Sequence, residues 1–167
     1  MPTPPLPAAA RAISTATSDA VLAVQGQDVA AYTEATDLLA AAEAEQVRVV
    51  LGVVVRALLE DLHPDGVSSD DLLDLIKSCT RRSFGWYPSV DVQVLVVVLT
   101  GSLGIHEPDE EPRKVTPTEV ARHAPLFIAE LLAAEGSEAR TGDPRALKDY
   151  FADAFLEISR AELNEMP

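Results

Sequence analysis

A single cysteine, Cys79, stands in a chain of 167 residues. One cysteine forms no internal disulfide, which excludes a disulfide-stapled scaffold. Cys79 also falls on the apolar side of an expected helix, where a small buried side chain is favoured over a reactive thiol. Long hydrophobic runs are missing too. The longest, Val49–Val55 and Val94–Leu99, fall far short of the roughly 20 residues that span a bilayer. Residues 1–17 are rich in Pro, Ala, Ser and Thr and lack the continuous apolar stretch of a signal peptide. Together these absences point to a cytoplasmic protein.

Aromatic residues make up only 5% of the chain, although hydrophobic residues reach 47%. A core of ordinary size is therefore built from Ala, Val and Leu. Lysine is nearly absent, with 3 against 10 arginines. Basic residues as a whole are outnumbered by 27 acids to 13 bases, for a net charge of −14. The imbalance is uneven: residues 1–66 carry −6, residues 67–106 only −1, and residues 107–167 carry −7. An acidic surface repels phosphate backbones and argues against nucleic-acid partners.

What is present is helical periodicity. Pro2, Pro4, Pro5 and Pro7 keep the start of the chain from forming a helix, so residues 1–17 are expected to be a tail and residues 18–167 one domain. A short first helix starts at about Pro7 or Ser18 and is ended by Gly26. Asp28 is a fair N-cap for the next segment, which runs proline-free to Leu62 as one helix or as two broken near Ala42–Ala44. Its second half places Val47, Val50, Leu51, Val54, Leu58 and Leu62 at helical spacing, with valines on the other faces, as in a helix at the middle of a bundle. Pro64-Asp65-Gly66 makes a turn, and Ser68 with Asp71 forms a near capping box. Leu72, Leu75, Ile76 and Cys79 stripe the following helix. Val90–Leu103 is apolar almost all round and reads as a second central helix.

Thr116, Pro117 and Glu119 combine cap, first-turn proline and capping box at the start of another helix. Pro125 lies inside it and is expected to kink or split it. Asp143-Pro144 repeats the start signal for a last helix striped by Leu147, Tyr150, Phe151, Ala154, Phe155 and Ile158. No strand has a partner. The fold expected is all-α, a single-domain bundle of five or six helices around two central apolar helices.

Motifs for chemistry are scarce. His63, His106 and His123 sit in a turn, a loop and a helix, and no His-x-x-x-His pair exists. Glu119 and His123 share a helical turn, but a catalytic zinc needs three protein ligands. No Gly-x-Ser-x-Gly is present. Gly101-Ser102-Leu103-Gly104 lacks the lysine and the strand-to-helix setting of a phosphate loop. Residues 68–103 can be drawn as helix-turn-helix, yet Val90–Leu103 offers no basic side chain to DNA. No catalytic residue, metal or cofactor is expected.

Three surfaces remain. The connector Arg81–Pro88 gathers Arg81, Arg82, Trp86 and Tyr87, residue types enriched in binding hot spots. Packing of Phe84 and Trp86 into the end of the bundle is the simpler use of its aromatic rings. Glu107, Asp109, Glu110 and Glu111 form an acidic loop, whose simpler reading is solvation. A kink near Pro125, beside His123 and Phe127, opens room for a small-molecule pocket, although kinks more often serve packing. The leading functional expectation is a non-enzymatic protein-interaction or regulatory module, self-association included. The alternatives are a small-molecule-binding domain and an acidic inhibitor of immunity type that binds a basic partner.

Overall fold

The computed structural model describes residues 7–105, 114–137 and 147–165, with side chains of the middle segment described to residue 134. Every element among them is helical: α1 (Ala8–Gln25), α2 (Val29–Ala41), α3 (Ala44–Leu62), α4 (Ser69–Phe84), α5 (Val92–Ser102), α6 (Pro117–Ser137) and α7 (Leu147–Glu165). The all-α bundle is as the periodicity predicts, with seven helices among the described residues where five or six were expected.

Two stretches differ from expectation, and the second adds a helix. The Pro/Ala-rich stretch becomes helical at once after Pro7, so residues 8–17 join α1 instead of extending as a tail. The reason is packing: Ala10, Ile13, Ala16 and Thr17 are buried, and one apolar face outweighs the absence of a side-chain cap. The proline-free run from residue 29 to 62 divides. Ala42 turns extended at ψ 170°, and the Glu43 carboxylate accepts from the Glu45 and Gln46 N–H groups to start α3. Between α1 and α2 the chain reverses in three residues. Gly26 stays right-handed, and Gln27 takes the left-handed step at φ 52°. Gly66 adopts φ +110° in the turn after α3, where its N–H donates to the His63 carbonyl at 2.9 Å.

Caps follow the local sequence closely. Ser68 and Asp71 exchange side-chain-to-backbone bonds at 3.1 and 2.9 Å. Thr116 and Glu119 do the same at 3.1 and 3.3 Å. Asp28 caps α2 through the Ala31 N–H. Asp91 caps α5 through the Gln93 N–H.

The bundle is centred on α3 and α6. In α3, Val50, Leu51, Val54, Val55, Leu58 and Leu59 are all buried. α6 packs against α1, α2, α3, α4 and α5, and from Ala121 to Ala129 only Arg122 reaches solvent appreciably. α5, which sequence apolarity marks as the second central helix, lies to one side. It packs on α3, α4 and α6, and leaves Val92 and Val96 exposed. Apolarity all round is a requirement for a central helix, but a short helix meets it without being central.

Pro125 does not split α6, which runs unbroken through it. Proline at 125 removes the N–H that would bond the Ala121 carbonyl and crowds the turn before it. The Tyr32 hydroxyl donates to the Arg122 carbonyl at 2.5 Å, across from α2.

Leu58 sits at full burial on the contact of α3 with the bundle. Leu58→Ala is expected to cost about 3 kcal/mol, read as a lower denaturant midpoint with an unchanged slope in urea unfolding.

Candidate functional site

The connector after α4 is the candidate with the most defined geometry. It is anchored by backbone bonds: the Trp86 and Tyr87 N–H groups both donate to the Ser83 carbonyl, at 3.1 and 2.7 Å. Trp86 then meets Tyr32 edge-on, with ring centroids 5.4 Å apart at 89°. Tyr87 meets Tyr32 at 5.1 Å and 63°, and Trp86 and Tyr87 lie 5.7 Å apart. Such contacts contribute about 0.5–1.5 kcal/mol each beyond burial of area. Tyr87 is buried and Trp86 half-buried. These two rings hold the connector onto the bundle and present only an edge of Trp86.

The exposed part of the segment is Arg81, Arg82 and Phe84. Packing of Phe84 into the bundle end does not occur: Phe84 is 63% exposed. The cause is helical phase. Cys79 and Ser83 face inward, and the next residue is rotated by about 100°. The same outward stripe holds Leu73, Lys77 and Arg81, so that a row of two large apolar and two basic side chains runs along α4. Arg82 leans back on α6, with its Nε 3.4 Å from a Glu130 carboxylate oxygen that also accepts from the Ser78 hydroxyl. Arg81 has no ion-pair partner among the described residues.

His123, Pro125 and Phe127, where a pocket was expected, are all buried in the core. His123 works as an internal connector: its Nδ1 donates to the Glu119 carbonyl at 2.7 Å, and its Nε2 accepts from the Asp91 N–H at 3.0 Å. Those two roles make the ring a neutral imidazole and join the caps of α5 and α6. A cavity of about 350 Å³ does open on the adjacent face of α6. Val120 and Ala124 line it there, opposite Gly52 and Val53 of α3 and Val97 and Val98 of α5. Stripes 120/124 and 123/127 lie about 60° apart on one helix, so the cavity borders the face where a pocket was expected. Arg48 and Arg56 stand at the cavity's rim, and each is paired: Arg48 with Glu45, Arg56 with Glu157.

Glu107, Asp109, Glu110 and Glu111 lie outside the described residues. Among the described residues no group of three or more metal-ligating side chains converges, and no helix is long and apolar enough to cross a membrane. Cys79 is buried, and burial pushes its thiol up to about 12, with the Glu130 carboxylate adding to the rise. That protonated thiol is a packing group.

Tyr32 was not legible as a key residue. It stands alone in a stretch of Ala and Thr, and only the scarcity of aromatic residues marks it. No family model, no curated protein and no solved structure matches the chain.

Burial raises the Tyr32 phenol well above its ordinary value and raises Tyr87 less. A group whose folded-state pKa is raised holds its full stabilising contribution below its unfolded pKa and loses it as pH climbs toward the folded one. Stability is therefore expected to fall from about pH 9 upward as Cys79 and then the tyrosines ionise preferentially in the unfolded chain. The limiting slope is about 1.4 kcal/mol per pH unit for each such group. Tyr32→Phe is expected to cost about 1 kcal/mol at neutral pH and to flatten the alkaline slope, measured by urea unfolding across that range.

Proposed function

We propose that the protein is a non-enzymatic interaction module that engages a protein partner through the outer face of α4. The observation that carries this reading is Phe84, a large side chain left 63% exposed on a stripe with Leu73, Lys77 and Arg81. Isolated exposed apolar residues are ordinary. Here two apolar residues flank two basic ones along one helix, and the aromatic cluster behind packs at the end of that helix. Residues 67–106 are also the part of this acidic chain that is nearly neutral. Phe84 and Leu73 supply anchors and Lys77 and Arg81 supply orientation, a pattern that suits a partner segment with apolar and acidic side chains.

The test replaces Phe84 with a photoreactive phenylalanine analogue in the native host. Irradiation is expected to yield one dominant adduct at this position, none from the same analogue at Asp65, and loss of the adduct in Arg81→Glu. Equal labelling at the two positions would remove the reading.

A second reading, ligand binding, draws support from the cavity between α3, α5 and α6. Its volume of about 350 Å³ falls in the range of small-molecule sites, and its lining is mainly valine. A thermal-shift screen with apolar and amphipathic compounds is expected to raise the melting temperature for some of them, and less so in Val53→Asp. A screen flat for both proteins would dismiss this reading.

A further inference from the structure

The valine-lined cavity between α3, α5 and α6 has a chemistry at its mouth that the ligand-binding reading does not use. Two charged side chains line it, Arg48 and Arg56, and among the described residues no acid does. The whole chain has 27 acids against 13 bases, so the charge of this lining runs against that of the molecule. Ser102, deeper in, offers a ligand no donor, because its hydroxyl donates to the Val98 carbonyl at 2.8 Å. The side-chain donors for a ligand are therefore the two guanidinium groups at the rim.

Arg48, Gly52 and Arg56 lie at intervals of four on α3 and share one stripe. The two arginines are about 12 Å apart along the helix axis, with no side chain between them on that stripe. Arg48 pairs one turn back, its Nε and Nη2 3.0 and 2.5 Å from the Glu45 carboxylate. Arg56 pairs one turn forward, its Nε 3.7 Å from Glu60, and its Nη2 bonds Glu157 of α7. All three acids are more than half exposed, and none of them lines the cavity. Each arginine keeps its Nη1 without a hydrogen-bond partner among the described residues. Exposed pairs of this kind hold a guanidinium only weakly. An anion at an apolar mouth is less screened by water, and it engages the remaining N–H groups in charge-assisted bonds.

Gly52 adds an observation independent of charge. Glycine inside a helix is disfavoured relative to alanine. Nothing local requires it at this position. Its φ is not positive, and an added Cβ would lie 3.8 Å from the Ser102 Oγ and 3.9 Å from the Ser102 Cα, at ordinary contact distance. What the missing side chain leaves is depth in the cavity floor, midway between the two arginines.

We propose that the cavity takes an aliphatic monocarboxylate, with its chain over Gly52 between the valines of α3 and α5 and its carboxylate at the arginine rim. This rests on the ligand-binding reading of the same cavity and adds the charge and shape of the ligand. The volume of about 350 Å³ is that of roughly a dozen water molecules, which suits one chain of medium length and not a lipid with two tails. No aromatic side chain among the described residues lines the site to stack on a planar ring.

Calorimetric titration of the full chain with octanoate and with octanol, which share a chain and differ in charge, tests it. Octanoate is expected to bind about tenfold more tightly than octanol. In the double variant Arg48→Gln, Arg56→Gln, octanoate is expected to fall to the level of octanol, with octanol binding and helicity unchanged. Gly52→Ala is expected to weaken both ligands several-fold while raising the melting temperature of the ligand-free protein. Octanol bound as tightly as octanoate would overturn the proposal and leave the ligand-binding reading standing. A preference for octanoate that survives the double variant, or binding unchanged in Gly52→Ala, would overturn it as well. Binding of neither compound would remove both the proposal and the reading beneath it.

Discussion

The hydroxyl of Tyr32 and the carbonyl of Arg122 hold the arrangement together where it is weakest. A proline in the middle of a buried helix costs about 3 kcal/mol or more when nothing compensates, and Pro125 sits in the helix that touches most of the others. The 2.5 Å bond from Tyr32 supplies a donor to the turn that Pro125 disturbs. It also joins α2 to α6, a contact reinforced by Arg122, whose guanidinium bonds the Thr36 hydroxyl at 2.9 Å and Asp37 at 2.6 Å. The same phenol ring is the centre on which Trp86 and Tyr87 pack. One side chain therefore ties the proline-bearing helix α6, the α1–α2 hairpin and the α4–α5 connector into one network. Removing the ring would loosen three elements; removing only the hydroxyl leaves the ring contacts and loosens one.

Scarcity of large side chains explains why so few residues carry so much. Alanine, valine and leucine fill the space between helices evenly and pack closely, but they do not single out one helix arrangement over its neighbours. The few rings and buried polar groups then set the arrangement. Tyr150 reaches from α7 to Asp61 of α3 at 2.6 Å. His123 joins the start of α5 to the start of α6 with both ring nitrogens. Tyr32, His123 and Tyr150 all bridge helices distant in sequence, and each does so with a hydrogen bond that fits one geometry.

These bridges are also what the sequence hides. Local signals were legible: the caps at Asp28, Ser68 and Thr116, the turn at Pro64–Gly66, and the inward stripes of α3, α4 and α7 all depend on neighbours within one or two turns. For the first helix the sequence left two starts open, near Pro7 and near Ser18, because the choice relies on burying Ile13 and Ala16 in the core and not on a cap. The centrality of α6 was masked by Pro125 and by His123, which read as interruptions and turn out to be core groups with partners on other helices. Apolarity alone ranked α5 above α6, since it measures what a helix tolerates and not how many neighbours surround it. Of the connector, the choice of segment was legible from its Trp, Tyr and Arg content. The assignment within it was not: Tyr87 and Trp86 turn inward while Phe84 turns out, a difference of helical phase beyond the resolution of composition.

Phase and composition together account for the surfaces as well. On α4, Leu73, Lys77, Arg81 and Phe84 share one outward stripe because the inward stripe is already occupied by Leu72, Leu75, Ile76 and Cys79. On α1 and α2, the inward stripes of Ile13, Tyr32 and Leu39 leave outer faces on which Leu22 and Leu38 stand among small and polar residues. A helix in a monomeric bundle needs one apolar stripe, and the opposite stripe normally turns polar. α7 follows that rule in part, with Asp149, Asp153 and Arg160 on the outside beside exposed Leu156 and Leu163. α4 and the α1–α2 pair depart from it in different ways, one with basic residues between its anchors and the other with small residues beside them. Small residues admit a helix at close range, whereas long basic side chains hold a partner farther off and through charge. The two surfaces are therefore suited to different occupants, and a single partner chemistry does not account for both.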